Sequence, residues 1–139
     1  MTKKRAAVLV VLCAGFILIL CAILSRNKSI FPLDAGRIYS IEFKVYPQDI
    51  ENYTLLDKTR IQEIVEQINA LELEKTSEWP DHMSDYYLLR IFGDDMDFTI
   101  ELDEAHITGK RENYSGDLSA LCALLGQTYY DHKNGVLQH

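Results

Sequence analysis

Cysteine is too scarce here to cross-link a domain. The chain has three cysteines in 139 residues, and Cys13 and Cys21 both lie inside an apolar run, which leaves Cys122 alone beyond it. No internal disulfide can form there. A domain without one must stand on its own hydrophobic core, and about 105 residues suffice for that. The usual catalytic signatures are missing as well. No serine sits in a G-x-S-x-G elbow, and there is no P-loop, G-x-G-x-x-G, C-x-x-C or H-x-x-x-H. These absences remove the sequence grounds for a hydrolase elbow, a phosphate cradle, a dinucleotide fold or a zinc site. Internal repeats and low-complexity tracts are also lacking, so the chain is read as one domain and no cofactor is expected.

Charge is absent from Ala6 to Leu24, nineteen residues reading AAVLVVLCAGFILILCAIL. As a helix this run is roughly 28 Å long, close to the ~30 Å hydrocarbon core of a bilayer. A helix of a small soluble domain keeps one polar face, and this one has none. Acidic residues are missing from the same region. Lys3, Lys4 and Arg5 precede the run and Arg26 and Lys28 follow it, with no Asp or Glu up to that point. Nine of the 14 basic residues therefore remain beyond Lys28 against all 21 acidic ones, a charge of −12. So acidic a domain repels nucleic acid and anionic lipid and favours cations or basic partners.

A short basic segment before an apolar core is the layout of an export signal. Three readings stand. The leading one is an uncleaved anchor, since the core is longer than a cleavable signal needs and no A-x-A-like site follows it. A second is lipidation at Cys21, because Leu18-Ile19-Leu20-Cys21 resembles a bacterial lipobox, although Leu20 stands where a small residue is expected. The third is ordinary cleavage just after the run. More basic residues lie before the run than after it, which predicts a cytoplasmic N-terminus and a domain outside the cytoplasm.

The expected organisation is a basic segment and transmembrane anchor at 1–28, a linker at 29–36 with Pro32 and Gly36 as breakers, an α+β domain at 37–131 and a flexible polar tail at 132–139. From Arg37 to Tyr46 the residues alternate, with Tyr39, Ile41, Phe43 and Val45 on one face, and Pro47 ends the strand. Residues 53–56 suggest a short extended piece. Asp57 reads as an N-cap, followed by Ile61, Ile64, Val65 and Ile68 at helical spacing, so a helix is predicted over about 58–70. Burying those four side chains is worth on the order of 6–12 kcal/mol before entropy is counted. Leu71 to Glu74 suggests another short strand, and Thr76 to Asp85 a polar loop around Trp79-Pro80. Tyr86–Phe92, Met96–Leu102 and Ala105–Lys110 read as an antiparallel meander. A last helix starts near Asp117, carries Leu118, Leu121, Cys122 and Leu125, and is expected to stop at Gly126. The fold class predicted is an antiparallel sheet of four to five strands with both helices on one face and the other face open.

Several residues invite a functional reading. Asp94, Asp95 and Asp97, with Glu101, Asp103 and Glu104 nearby, are the weak metal candidates, because Ca²⁺ takes six to eight oxygens. From Asp95, Asp97 fits the third position of an EF-hand loop, but no glycine occupies the sixth. The plainer reading is two hairpin turns and the wet face of a strand. His82 and His106 have no metal-ligand partner at a diagnostic spacing and read as surface histidines. Cys122 shares a stripe with leucines and reads as a buried free thiol. Trp79, Tyr86, Tyr87 and Tyr114 are the candidates for a binding surface, with Tyr129 and Tyr130 as further half-polar aromatics. Three sequons, at Asn27, Asn52 and Asn113, matter only in a eukaryotic secretory protein.

The layout as a whole resembles the small membrane-anchored or lipoprotein-type extracytoplasmic proteins of Gram-positive bacteria, many of them domains of unknown function. The resemblance is carried by Lys3-Lys4-Arg5 with the apolar run, by the helix led by Asp57, and by Tyr86-Tyr87-Leu88-Leu89-Arg90-Ile91 with its hairpin. It implies no activity. The expectation is a single-pass protein of the cell membrane, held by residues 6–24, whose outer domain is a non-catalytic binding or accessory module for a protein or envelope partner. The alternatives are a Ca²⁺-dependent domain or enzyme using the acidic hairpin edge, and a cleaved lipoprotein with an envelope or ligand-binding role.

Overall fold

The computed structural model describes residues 2–26, 31–46, 51–82 and 85–137. The sequon at Asn27 and the strand-ending role expected of Pro47 lie outside them. The first element, α1 (Lys3–Arg26), contains the apolar run, and its span Lys3–Cys21 is long and apolar enough to cross a membrane, with none of it buried against the domain.

The domain is α+β. Seven antiparallel strands, more than the four or five expected, form one sheet: β1 (Ile38–Tyr46), β2 (Tyr53–Leu55), β3 (Glu74–Lys75), β4 (Tyr86–Gly93), β5 (Met96–Leu102), β6 (His106–Gly109) and β7 (Glu112–Ser115), in the order β2-β1-β4-β5-β6-β7-β3. The helix α2 (Lys58–Asn69) carries the chain from one edge strand, β2, to the other, β3. Its N-cap is as predicted, with Asp57 Oδ1 accepting from the Arg60 amide at 2.9 Å. The second helix, α3 (Ser119–Lys133), packs beside α2 on the same face. Ile61, Ile64 and Ile68 of α2 and Leu121 and Leu125 of α3 close over Ile41, Phe43, Leu89, Ile91, Ile100 and Ile107 of the sheet, all fully buried.

Local chemistry explains where the strands depart from expectation. A β-bulge between Ile38 and Ser40 shifts the β1–β4 register, so Ile38 turns into the core and Tyr39, expected inward, is exposed. Gly93 sits opposite this bulge, where a Cβ would collide with the Arg37 carbonyl. β7 escapes the sequence pattern because its hairpin turn is Lys110-Arg111, both at positive φ (51° and 66°), where Asn-Gly is the usual signal.

Both ends of the domain are more firmly built than expected. Phe31 is buried against Tyr114, ring centroids 5.6 Å apart, and Asn69 holds the backbone of Leu33 from both sides (2.9 and 2.8 Å). Residues 31–34 are thus docked on the domain. At the other end α3 runs through Gly126 to Lys133. The stop is Gly135, at φ +69° just past the C-cap Asn134. Gly126 serves packing instead, since a Cβ there would come 3.3 Å from the Tyr87 hydroxyl. Residues 133–136 are exposed, but beyond the helix Leu137 returns to the core at 8% exposure, so the segment expected to be a flexible tail is anchored at residue 137.

Candidate functional site

A cleft of about 750 Å³ opens where the N-terminal half of α3 meets the β5–β6 turn. Its floor is Cys122, Ala123 and Gly126 of α3 with Tyr87 of β4. Asp81, Asp85, Asp103, Glu104 and His106 also line it.

Asp103 organises this turn. It is buried, and its Oδ1 accepts the amides of Ala105 (2.8 Å) and His106 (2.7 Å). Its Oδ2 accepts the amide of Asp81 at 2.6 Å, from the segment between β3 and β4. Burial pulls the carboxyl upward, but the three backbone donors, helped by His106, outweigh it and hold the group below the usual carboxylate range. His106 Nε2 lies 2.8 Å from Glu78 Oε2, and its Nδ1 lies 3.5 Å from Asp103 Oδ1. The bond to Glu78 raises the imidazole above its ordinary value; desolvation opposes this and Asp103 adds to it.

The floor is neutral near pH 7. Burial, with Glu104 and Asp103 behind it, pushes the Cys122 thiol up to about 12. Burial likewise pushes the Tyr87 phenol to about 12. A thiol so placed is not an activated nucleophile. The cleft is an apolar floor with hydroxyl and thiol groups, rimmed by carboxylates, and it suits a cation with an apolar stem.

The four aromatic candidates do not gather. Trp79 is exposed at 63% in the segment between β3 and β4. Tyr86 is on the open face of the sheet, stacked on Tyr46 at 4.6 Å and 3°, with the His82 ring at 4.5 Å. Tyr87, the next residue, faces the helices and lines the cleft. Tyr114 is removed from the surface, since it is buried against Phe31 and its hydroxyl donates to Glu112 at 2.6 Å. Alternation along a strand separates such neighbours. The open face is occupied by its own partners: Arg90 holds Asp97 through Nε and Nη2 (3.1 and 3.0 Å), His82 meets Glu101 (3.2 Å), and Thr108 donates to Asn113 (2.6 Å).

Asp94 and Asp95 form the β4–β5 turn, and Asp97 is engaged by Arg90, which holds its carboxyl below the usual range. Among the described residues no group of three or more His, Cys, Asp or Glu is arranged to hold a metal ion. Cys21 is exposed on α1. Sequence reading missed Asp103 and Glu78 as organising residues. A signal was present for Asp103, since Asp in a turn just ahead of a strand commonly accepts amides of its own turn; nothing local marks Glu78, whose partner is 28 residues away. Compared with known proteins, the chain matches no family model, no curated protein and no solved structure.

Proposed function

We propose that α1 anchors this chain in the cell membrane with its N-terminus in the cytoplasm, and that the outer domain is a non-catalytic binding module of the kind its layout resembles. The observation that carries the reading is the cleft between α3 and the β5–β6 turn. Its rim brings Asp81, Asp85, Asp103 and Glu104 together over a neutral floor, within a domain whose net charge is −12 beyond Lys28. Such a cleft favours a lysine or arginine side chain of a partner protein, the methylenes resting on the floor and the charge meeting the carboxylates. The titratable groups within it support binding over chemistry, because the thiol and phenol stay protonated and Asp103 is committed to three amides.

The test is a titration of the full chain in neutral-detergent micelles with a lysine-rich peptide and a glutamate-rich control. Binding of the first alone, weakened by salt and by Glu104→Gln, is the expected result. Equal binding of both peptides, or none, overturns the reading. Release from native membranes by alkaline carbonate would overturn the anchor, and an intact mass beginning at an acylated Cys21 would replace it with a lipoprotein.

A further inference from the structure

The segment Thr76 to His82 crosses from β3 toward β4 as a strap, and its Asp81 lines the cleft. Its start is tied by the Thr76 amide to the Asn113 carbonyl (3.0 Å). Three polar contacts then fasten it to the β5–β6 region: Glu78 to His106 (2.8 Å), the Asp81 amide to Asp103 (2.6 Å), and His82 to Glu101 (3.2 Å). Pro80 is buried between them. The middle contact joins a permanent carboxylate to a backbone amide. The outer two each set an imidazole against a carboxylate, and the His106 imidazole, raised from an ordinary value of 6.5, changes charge near neutrality.

We propose that this strap is a pH-operated clamp on the cleft wall, held down while the His106 imidazolium bridges Glu78 and Asp103 and loosened when His106 is neutral. The geometry requires the charged form for full strength. Glu78 is hydrogen-bonded at Nε2 (2.8 Å), while the buried Nδ1 makes no hydrogen bond and has Asp103 Oδ1 at 3.5 Å, within ion-pair range of a protonated ring. An imidazolium donates at both nitrogens; a neutral ring donates at one only, and its other lone pair then confronts an anion. The remaining titratable or charged groups around His106 are Asp81 of the strap, Asp85 ahead of β4, Glu104 of the turn, Tyr87 and Cys122 of the cleft, and Glu74 beyond Ser115 on β3. All are acidic or neutral. Lys75, the cation on β3, is paired with Glu112 at 3.3 Å.

The direction follows. Because His106 is raised above its ordinary 6.5, first by Glu78 and then by Asp103 against desolvation, the contact is complete below about 6.5 and is lost as pH rises through the higher folded-state value. Any effect on a ligand rests on the cleft being a binding site; the clamp itself does not.

The chain has a single tryptophan, Trp79, and it lies in the strap beside Glu78. Its emission and anisotropy therefore report the strap alone. In the full chain in neutral-detergent micelles, a titration from about pH 5.5 to about pH 8.5 is expected to show one sigmoid with its midpoint above 6.5. Glu78→Gln, an exposed change that leaves the core intact, should move that midpoint down. His106→Gln should abolish the sigmoid, and His82→Gln should keep it. A flat signal, a midpoint unmoved in Glu78→Gln, or a sigmoid lost in His82→Gln overturns the clamp. A lysine-rich peptide that fails to bind removes the cleft ligand instead, so the two readings fail separately.

Discussion

Arg60 of α2 and Asp131 of α3 meet across the two helices, Nη2 to Oδ2 at 2.8 Å, although 71 positions separate them in the chain. The same guanidinium donates to Thr128 Oγ1 (3.0 Å) and reaches Glu63 (3.0 Å), while Gln127 donates to the other oxygen of Asp131 (2.8 Å). Both side chains are largely shielded, so the pair fixes how α3 lies on α2.

Replacing Asp131 by Ala leaves a shielded guanidinium with fewer partners, and the melting temperature is expected to fall by roughly 5–10 °C. The pH dependence should change too. Arg60 first, then Gln127, hold the Asp131 carboxyl below its ordinary 3.8. Its contribution is therefore present above about 3.8 and lost as pH falls through the lower folded-state value. Urea midpoints at neutral pH and in acid should differ less in Asp131→Ala than in the parent; an unchanged difference argues against the pair.

Leu137 is the last buried side chain described. Leu137→Ala should cost about 2 kcal/mol in urea unfolding. A cost near zero would mean that the segment after α3 does not pack.

Gly109 lies against Phe31, and a Cβ there would come 2.8 Å from Cε1 and 3.3 Å from Cζ of that buried ring. Phe31 has little room, being held edge-on by Tyr114. Gly109→Ala should destabilise by about 1–3 kcal/mol, and Phe31→Leu in the same chain should recover part of it. Strict additivity of the two changes would show that they do not touch.

Cys122 should resist thiol reagents. In a chain whose Cys13 and Cys21 are replaced by Ser, modification at pH 8 should be about a hundredfold or more slower in the folded protein than in denaturant, because the buried thiol titrates at about 12. Equal rates would place it on an open surface.

Much of the fold was legible because its signals are local. Ile61, Ile64, Val65 and Ile68 mark α2 by spacing alone, Asp57 marks its start, and the β4–β5 hairpin shows in alternation around Gly93-Asp94-Asp95. The failures have local causes as well. Lys110-Arg111 takes up positive φ without glycine or asparagine and hides β7. The bulge at Tyr39 breaks a period that looked regular. Gly126 resembles a helix stop, yet it is a packing glycine under the Tyr87 hydroxyl.

The candidate site was nearly illegible, since its parts come from four segments. Glu78, Asp103, His106 and Cys122 have no shared motif, and only the sheet order brings β3, β6 and α3 to one end of the domain. The linear chain by itself determined the uncharged run of Ala6 to Leu24, the acidic excess beyond it and the α+β class, because these depend on composition and on periods of 2 and 3.6 residues. Only the tertiary structure decided that Tyr114 is core while Tyr86 is surface, that Leu137 belongs to the core, and that His106 sits between Glu78 and Asp103. Those outcomes depend on long-range register and burial, which set the surroundings of each side chain and which no local pattern records.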